Sequence, residues 1–183
     1  MLIRLQDLVV QKLEFQEQFR PGAVDLGPEV AHRAPLQASG RAELIEEDHG
    51  RKSIIRDIRV VGRLSTRVEA RCARCLEPVE SLIESEFDLL YRPLGADARK
   101  DETGISEAET EIGYYQGEGL LLEDVLREQV LLATPARTLC SEGCRGLCSR
   151  CGRNRNKETC QCAEEPKDPR WNALKGLREK LED

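Results

Sequence analysis

Aromatic residues are scarce in this 183-residue chain: three Phe, three Tyr and one Trp, or 4%. So few rings leave little for stacking on unpaired nucleic-acid bases. Histidine is scarcer still, with only His32 and His49. Both fall in loop-like segments far in sequence from the cysteines, and both are expected at the surface without a catalytic role. Catalytic zinc keeps an open position and commonly uses His or carboxylate ligands, so that class of enzyme is disfavoured. No apolar run approaches the roughly 18 residues of a membrane span. The opening MLIRLQDLVVQKLEF carries Arg4 and Asp7 inside its apolar stretch. It offers neither a clean signal core nor a small-residue cleavage site. The expectation is a cytoplasmic protein with reduced thiols, which favours metal over disulfides. Excess positive charge is missing too: 28 Lys+Arg stand against 34 Asp+Glu. That balance excludes a globally basic nucleic-acid binder, though not a locally basic one.

What the chain does have is eight cysteines in two places. Cys72 and Cys75 form a C-x2-C pair in the middle. Cys140, Cys144, Cys148, Cys151, Cys160 and Cys162 crowd a short segment near the C-terminus. A closed structural zinc site takes four thiolates, so the count suggests two ions. GLCSRCG resembles a zinc knuckle, with Gly152 letting the backbone turn back. Cys148, Cys151, Cys160 and Cys162 are therefore expected as one site. By elimination, Cys72, Cys75, Cys140 and Cys144 form the other. Between Cys140 and Cys162 the only other large apolar residue is Leu147. Such a segment cannot offset an ordering cost of roughly 1–2 kcal/mol per residue by burial alone. Structural zinc, worth about 10–16 kcal/mol in small peptides, could. A thioredoxin-like role for Cys72-Ala73-Arg74-Cys75, with Arg74 lowering a thiol pKa, is the redox alternative. The surrounding pattern is a hairpin rather than a strand leading into a helix, which speaks against it.

The expected fold class is α+β. An antiparallel β-rich domain with one amphipathic helix spans 1–135. A small cysteine-rich zinc module with a C-terminal helix spans 136–183, tied to the first domain by the shared zinc. The first 20 residues read as short strands, with Leu13, Phe15 and Phe19 on one face. Residues 20 to 35 read as a connection, and Leu36 to Leu44 alternate again. Asp48-His49-Gly50 signals a turn. Ile54, Ile58, Val60, Leu64, Val68, Ala70 and Cys72 share one parity, while Arg59, Arg63, Arg67 and Arg71 share the other. Period two places the sets on opposite sheet faces, and Gly62 suggests a bulge or bend. Ile83, Phe87, Leu89 and Tyr91 alternate with Glu84, Glu86 and Asp88. A hairpin pairing Arg71 with Glu80, Arg67 with Glu84 and Arg63 with Asp88 would match charges across strands. A register shifted by four does so too. The acidic stretch at about 95–111 is expected to be a mobile loop. Leu120–Leu132 is expected to be helical, burying Leu122, Val125, Leu126 and Val130. Asp168 and Pro169 would open a last helix with Trp171, Leu174, Leu177 and Leu181 as its stripe.

Charge is unevenly placed. Residues 51–74 hold eight basic and two acidic side chains, and 137–157 hold six and one. Residues 77–128 hold four basic and fifteen acidic. A shared metal would join the basic regions. Arg67, Arg71, Arg74, Arg145, Arg150, Arg153 and Arg155 are then candidates for contacting RNA phosphates. Alternatively, Arg63, Arg67 and Arg71 are neutralised by cross-strand carboxylates, and the module arginines offset thiolate charge.

RCARCLEPVE, LLEDVLREQVLLATP, LC-x3-C-x-GLC-x2-CG-x-N-x-N-x3-C-x-C and DPRWNAL together resemble the YceD family, the large ribosomal RNA subunit accumulation family. The resemblance covers roughly residues 36 to 181. Arg155 stands where the family often has an apolar residue between two asparagines. The resemblance implies a bacterial or plastid protein that supports synthesis, processing or stability of large-subunit ribosomal RNA, and it implies no known enzymatic activity. Its cysteines map onto the eight named above. The leading expectation is a ribosome-biogenesis factor, not an enzyme, with one or two structural zinc ions. Its partner would be large-subunit ribosomal RNA or an assembling ribosomal protein, with no membrane and no small-molecule substrate. The competing expectation is an adaptor that docks a protein through Trp171, Leu174 and Leu177 and makes no RNA contact.

Overall fold

The longest alternation in the sequence becomes the longest strand. A computed structural model describes residues 1–48, 54–96 and 112–162. In chain order the elements are β1 (Leu2–Arg4), α1 (Leu5–Val10), β2 (Leu13–Phe19), β3 (Val30–His32) and β4 (Leu36–Asp48). They continue with β5 (Ile54–Arg71), β6 (Pro78–Pro93), β7 (Ile112–Tyr115), β8 (Gly119–Leu121) and α2 (Leu122–Ala133). The main sheet runs β2-β4-β5-β6-β7, and β3 pairs with β5 near its C-terminal end. Its pairings are antiparallel except for β6 with β7. β1 and β8 form a separate two-stranded ribbon. The architecture is α+β, as the alternating and helical periods implied.

One sheet face carries the core. Ile58, Val60, Leu64 and Val68 of β5 and Ile83, Phe87 and Tyr91 of β6 are buried there. Leu122, Val125, Leu126 and Val130 of α2 join the same cluster. Each such side chain contributes about 1.5–3 kcal/mol when fully buried. The helix begins two residues later than its periodicity predicts, because Leu120 and Leu121 pair with β1 instead.

Four expectations need correction. The β5–β6 ladder pairs Arg71 with Pro78, Arg67 with Leu82 and Arg63 with Glu86, two residues away from the charge-matched register. The turn decides this: Cys72 N–H donates to the Glu77 carbonyl at 2.8 Å, closing the hairpin tightly around the cysteines. Arg59 then becomes the strand arginine paired to β6, donating to both Asp88 oxygens at 2.8 and 2.6 Å. Second, Gly62 marks no bulge, since both ladders run through it without a break. It faces Gly40 across β4. A Cβ on Gly40 would lie 2.3 Å from the Val61 carbonyl and 2.8 Å from the Phe15 ring, so the two glycines admit the rings that cross them. Gly40→Val is expected to cost about 1–3 kcal/mol by overpacking. An unchanged urea midpoint would show that the strands part freely there.

Third, residues 5 to 10 form a helical turn rather than a strand. β1 is only three residues long and pairs with β8, so α1 reverses the chain toward β2, burying Leu8 alone. Fourth, the segment 20 to 35 is more than a connection. It buries Val24 and Leu26 and contributes β3, which takes β4's place beside β5 at Val68–Ala70. His32 lies half buried in β3, its Nδ1 accepting the Gly22 N–H at 3.3 Å. His49, most of the acidic stretch and the segment 168–181, where a helix with Trp171, Leu174 and Leu177 is expected, lie outside the described residues.

Candidate metal centre

The β5–β6 turn is a knuckle. Leu76 N–H donates to the Cys72 carbonyl at 2.9 Å, and Cys72 N–H to the Glu77 carbonyl at 2.8 Å. The second C-x2-C repeats both bonds at the same spacing. Gly152 N–H donates to Cys148 C=O at 2.9 Å, and Cys148 N–H to Arg153 C=O at 2.8 Å. Each fifth position needs a left-handed backbone: Gly152 has φ 70° and Leu76 has φ 61°. Glycine adopts that conformation freely, whereas a leucine pays for it. The pattern is legible at GLCSRCG and hidden at RCARCLE for this reason.

After α2 the chain runs back to the first knuckle. Ala73 N–H donates to Thr138 C=O at 2.9 Å, and Leu147 N–H to Arg74 C=O at 3.0 Å. This strap brings Cys140 and Cys144 to Cys72 and Cys75. The sulfur atoms of Cys72, Cys75, Cys140 and Cys144 all lie within 4.8 Å of one another, as do those of Cys148, Cys151, Cys160 and Cys162. Cys72 and Cys144 sulfurs stand 3.8 Å apart, and those of Cys75 and Cys140 stand 3.5 Å apart. A metal–thiolate bond of about 2.3 Å gives a tetrahedral edge of about 3.8 Å, while a disulfide would bring sulfurs to about 2.05 Å. The spacing therefore suits a four-thiolate metal site. Cys72, Cys75 and Cys144 are buried, while the second tetrad is more open.

The electrostatics point the same way. Burial opposes ionisation of Cys72, but the N–H groups of Arg74, Cys140 and Cys75 outweigh it and bring the thiol down to about 6. The N–H groups of Cys151 and Arg150 bring Cys148 down to about 6 as well. Hydrogen bonding with Cys151, followed by burial, pushes Cys162 up to about 12. The first tetrad thus lowers Cys72 and Cys144 and raises Cys75 and Cys140, while the second lowers Cys148 and raises Cys162; like charges this close penalise full ionisation. A divalent cation removes the penalty. Among the described residues, the only other apolar packing around the first tetrad comes from Val79, Leu139 and Leu147. Metal would hold the strap where apolar burial is too small to do so.

The arginines expected at a phosphate-binding surface separate into two groups. Arg74 is engaged within the fold, donating to the carbonyls of Glu142 at 3.1 Å and Cys144 at 2.9 Å. Arg67, Arg71, Arg145, Arg150 and Arg155 are exposed and have no side-chain ion pair among the described residues. Arg153 stands 3.7 Å from Glu158, an exposed and weak pair. Arg71 and Arg145 adjoin Cys72 and Cys144, so the first tetrad draws the two basic stretches together. Arg155, between the asparagines, is exposed, with its N–H donating to Gly146 C=O at 2.9 Å. Its charge is thus no obstacle to packing.

Sequence reasoning missed the hydrogen-bonding roles of four polar residues at the site. Asn156 Nδ2 donates to Cys144 Sγ at 3.3 Å. Asn154 Nδ2 donates to Glu77 Oε1 at 3.2 Å, and Lys157 Nζ stands 2.8 Å from the same oxygen. Hydrogen bonds from Lys157 and Asn154 hold the Glu77 carboxyl below its usual range. The N-x-N spacing between cysteine pairs was the available signal, since turn-forming asparagines beside thiolates can donate to sulfur.

An α+β sheet protein with two cysteine tetrads at one end, each able to hold a metal ion, is the class that this fold and site define. The chain belongs to the YceD family, described as large ribosomal RNA subunit accumulation protein YceD, whose signature matches residues 60–178. An uncharacterized protein of Mycobacterium tuberculosis strain H37Rv is 29% identical over 160 residues, covering 85% of this chain and 74% of that protein. The large ribosomal RNA subunit accumulation protein YCED homolog 1, chloroplastic, of Arabidopsis thaliana is 27% identical over 146 residues, covering 68% of this chain and 46% of that protein. An uncharacterized Mycobacterium leprae protein is 26% identical over 120 residues, covering 65% of this chain and 48% of that protein. No solved structure matches. Among the described residues no helix is long and apolar enough to cross a membrane.

Proposed function

We propose that this protein is a non-enzymatic factor in large-subunit ribosome biogenesis, acting in the cytoplasm and binding ribosomal RNA through an arginine-rich end stiffened by two zinc ions. The observation that carries this reading is the placement of exposed Arg145, Arg150, Arg153 and Arg155 in the loops that the tetrads would brace. The family to which the chain belongs supports the ribosomal setting. Zinc suits closed four-thiolate sites, where it contributes folding energy rather than chemistry. Cys72, Cys75, Cys140 and Cys144 would hold one ion, and Cys148, Cys151, Cys160 and Cys162 the other. Arg67 and Arg71 extend the surface along β5. Phosphate contacts of this kind position a protein without reading sequence.

Binding to ribosomal RNA should weaken as salt rises, by a slope of about 0.7–0.9 per phosphate contact on a log–log plot. Replacing Arg150, Arg153 and Arg155 with Gln should flatten that slope by roughly two units and weaken binding across RNA sequences. An unchanged slope would place the RNA surface elsewhere. Recovery of a single ribosomal protein without precursor RNA from cells would favour a protein partner instead.

A further inference from the structure

Asn154, Asn156 and Lys157 lie in the loop between Cys151 and Cys160, which belong to the second tetrad, yet Asn156 reaches Cys144 of the first, and Asn154 and Lys157 reach Glu77 beside it. Asn156 Oδ1 accepts the Arg145 N–H at 2.7 Å. A backbone N–H can only donate, so this bond fixes the amide's orientation and leaves Nδ2 facing Cys144 Sγ at 3.3 Å. The same Nδ2 also reaches Asn154 Oδ1 at 2.9 Å, and Asn156 N–H reaches it at 3.0 Å. Asn154 Nδ2 is thereby turned to Glu77 Oε1 at 3.2 Å. Glu77 closes the first knuckle through its carbonyl. Every donor and acceptor in this chain of bonds has one consistent assignment, from the Arg145 amide at one end to the Glu77 carboxylate at the other.

We infer that Asn156, held by Asn154, couples the two metal sites, so that filling the second tetrad tightens metal binding at the first. A metal ion on Cys148, Cys151, Cys160 and Cys162 closes the loop that presents Asn156. The amide then donates to the Cys144 thiolate, offsetting part of the excess negative charge of a four-thiolate site. Groups that hydrogen-bond to metal ligands typically change affinity about 10–100-fold. Linkage makes the effect mutual: the first ion tightens the second by the same factor. Asn154 and Asn156 are positioning residues here, since only Asn156 touches a ligand atom and Asn154 acts through it.

Cobalt(II) is the probe, because its thiolate charge-transfer bands report each site optically. The full chain is loaded with cobalt and challenged with excess EDTA. The Cys160→Ser/Cys162→Ser protein carries only the first-site ion and identifies its phase. Relative to the native chain, that phase should be at least about tenfold faster in this protein. Asn156→Asp keeps the oxygen for Arg145 N–H and removes the donor to sulfur. It should speed the same phase about tenfold and shift the first site's charge-transfer band to longer wavelength, with far-ultraviolet circular dichroism unchanged. Unchanged first-site release in both proteins would overturn the coupling. Faster release with an unshifted band would overturn the role of Asn156 as the donor. The inference rests on both tetrads holding metal. A native chain that takes up no cobalt would therefore defeat that reading as well, whereas normal uptake with unchanged release defeats the coupling alone.

Discussion

A Cys72→Ser/Cys75→Ser protein is expected to lose the metal ion proposed for the first tetrad and, with it, the attachment of residues 136–162 to the sheet. The strap is held to the first knuckle by a few backbone bonds, two carbonyls on Arg74 and a cluster of three cysteines with Val79, Leu139 and Leu147. Backbone ordering costs roughly 1–2 kcal/mol per residue, which this small cluster cannot offset over the length of the strap. A four-thiolate ion worth about 10–16 kcal/mol can. Metal content should fall from two equivalents to one, and brief protease treatment should release the C-terminal segment while sparing the sheet. The strand core does not depend on the ion, because Ile58, Val60, Leu64 and Val68 are buried against β6 and α2. The Cys160→Ser/Cys162→Ser protein is the contrast: it should also lose one ion yet keep Cys140 and Cys144 docked. If the Cys72/Cys75 variant retained two equivalents, or its cleavage pattern matched the native one, the shared site would be refuted.

The second large effect lies at the other end of β5. Asp57 is completely buried and Arg92 nearly so, at 5% exposure. Arg92 Nη2 donates to Asp57 Oδ2 at 2.8 Å, and its Nε stands 3.2 Å from Oδ1. Arg92 also reaches Glu47 Oε2 at 3.1 Å. Removing one member of a buried pair leaves an uncompensated charge and costs about 3–5 kcal/mol. Arg92→Met should reach that range in urea unfolding, because it strands the Asp57 carboxylate away from water. Asp57→Asn should cost less, since Arg92 keeps Glu47. Replacing both with apolar residues, Asp57→Leu with Arg92→Met, should recover part of the loss. If the double variant were less stable than Arg92→Met, a packing role would outweigh the charge pairing. The pair is invisible to period-two reading. Asp57 has the parity of Arg59, Arg63 and Arg67, which face solvent, and alternation says which face a residue takes but not what covers it.

The two tetrads divide along the same line. Cysteine count, the two C-x2-C pairs and the poverty of apolar residues around Leu147 point to metal before any coordinates, because thiol chemistry is written in residue identity. The relay from Asn156 through Asn154 to Glu77 is not legible in this way. Its members lie up to 79 positions apart, between Glu77 and Asn156, and meet only once the strap crosses the knuckle. The arginines show both cases. Their density marks a basic end, but the fold alone reveals that Arg74 is engaged on carbonyls while Arg150 and Arg155 are left exposed.

By itself, the sequence determined the elements whose periodicity is long and clean: β4, β5, β6 and the buried stripe of α2. It also determined which sheet face is apolar and which residue types could bind metal. The tertiary structure alone decided the β5–β6 register, which the knuckle sets through Cys72 and Glu77 against an equally plausible charge-matched pairing. It alone decided the roles of short elements such as α1, β3 and β7, whose few residues carry too little pattern to outvote their neighbours. The physical reason is common to both. Periodicity records the local geometry of a backbone and the side of it that meets water, whereas register, ion pairing and the reach of an amide to a distant sulfur depend on where the rest of the chain comes to lie.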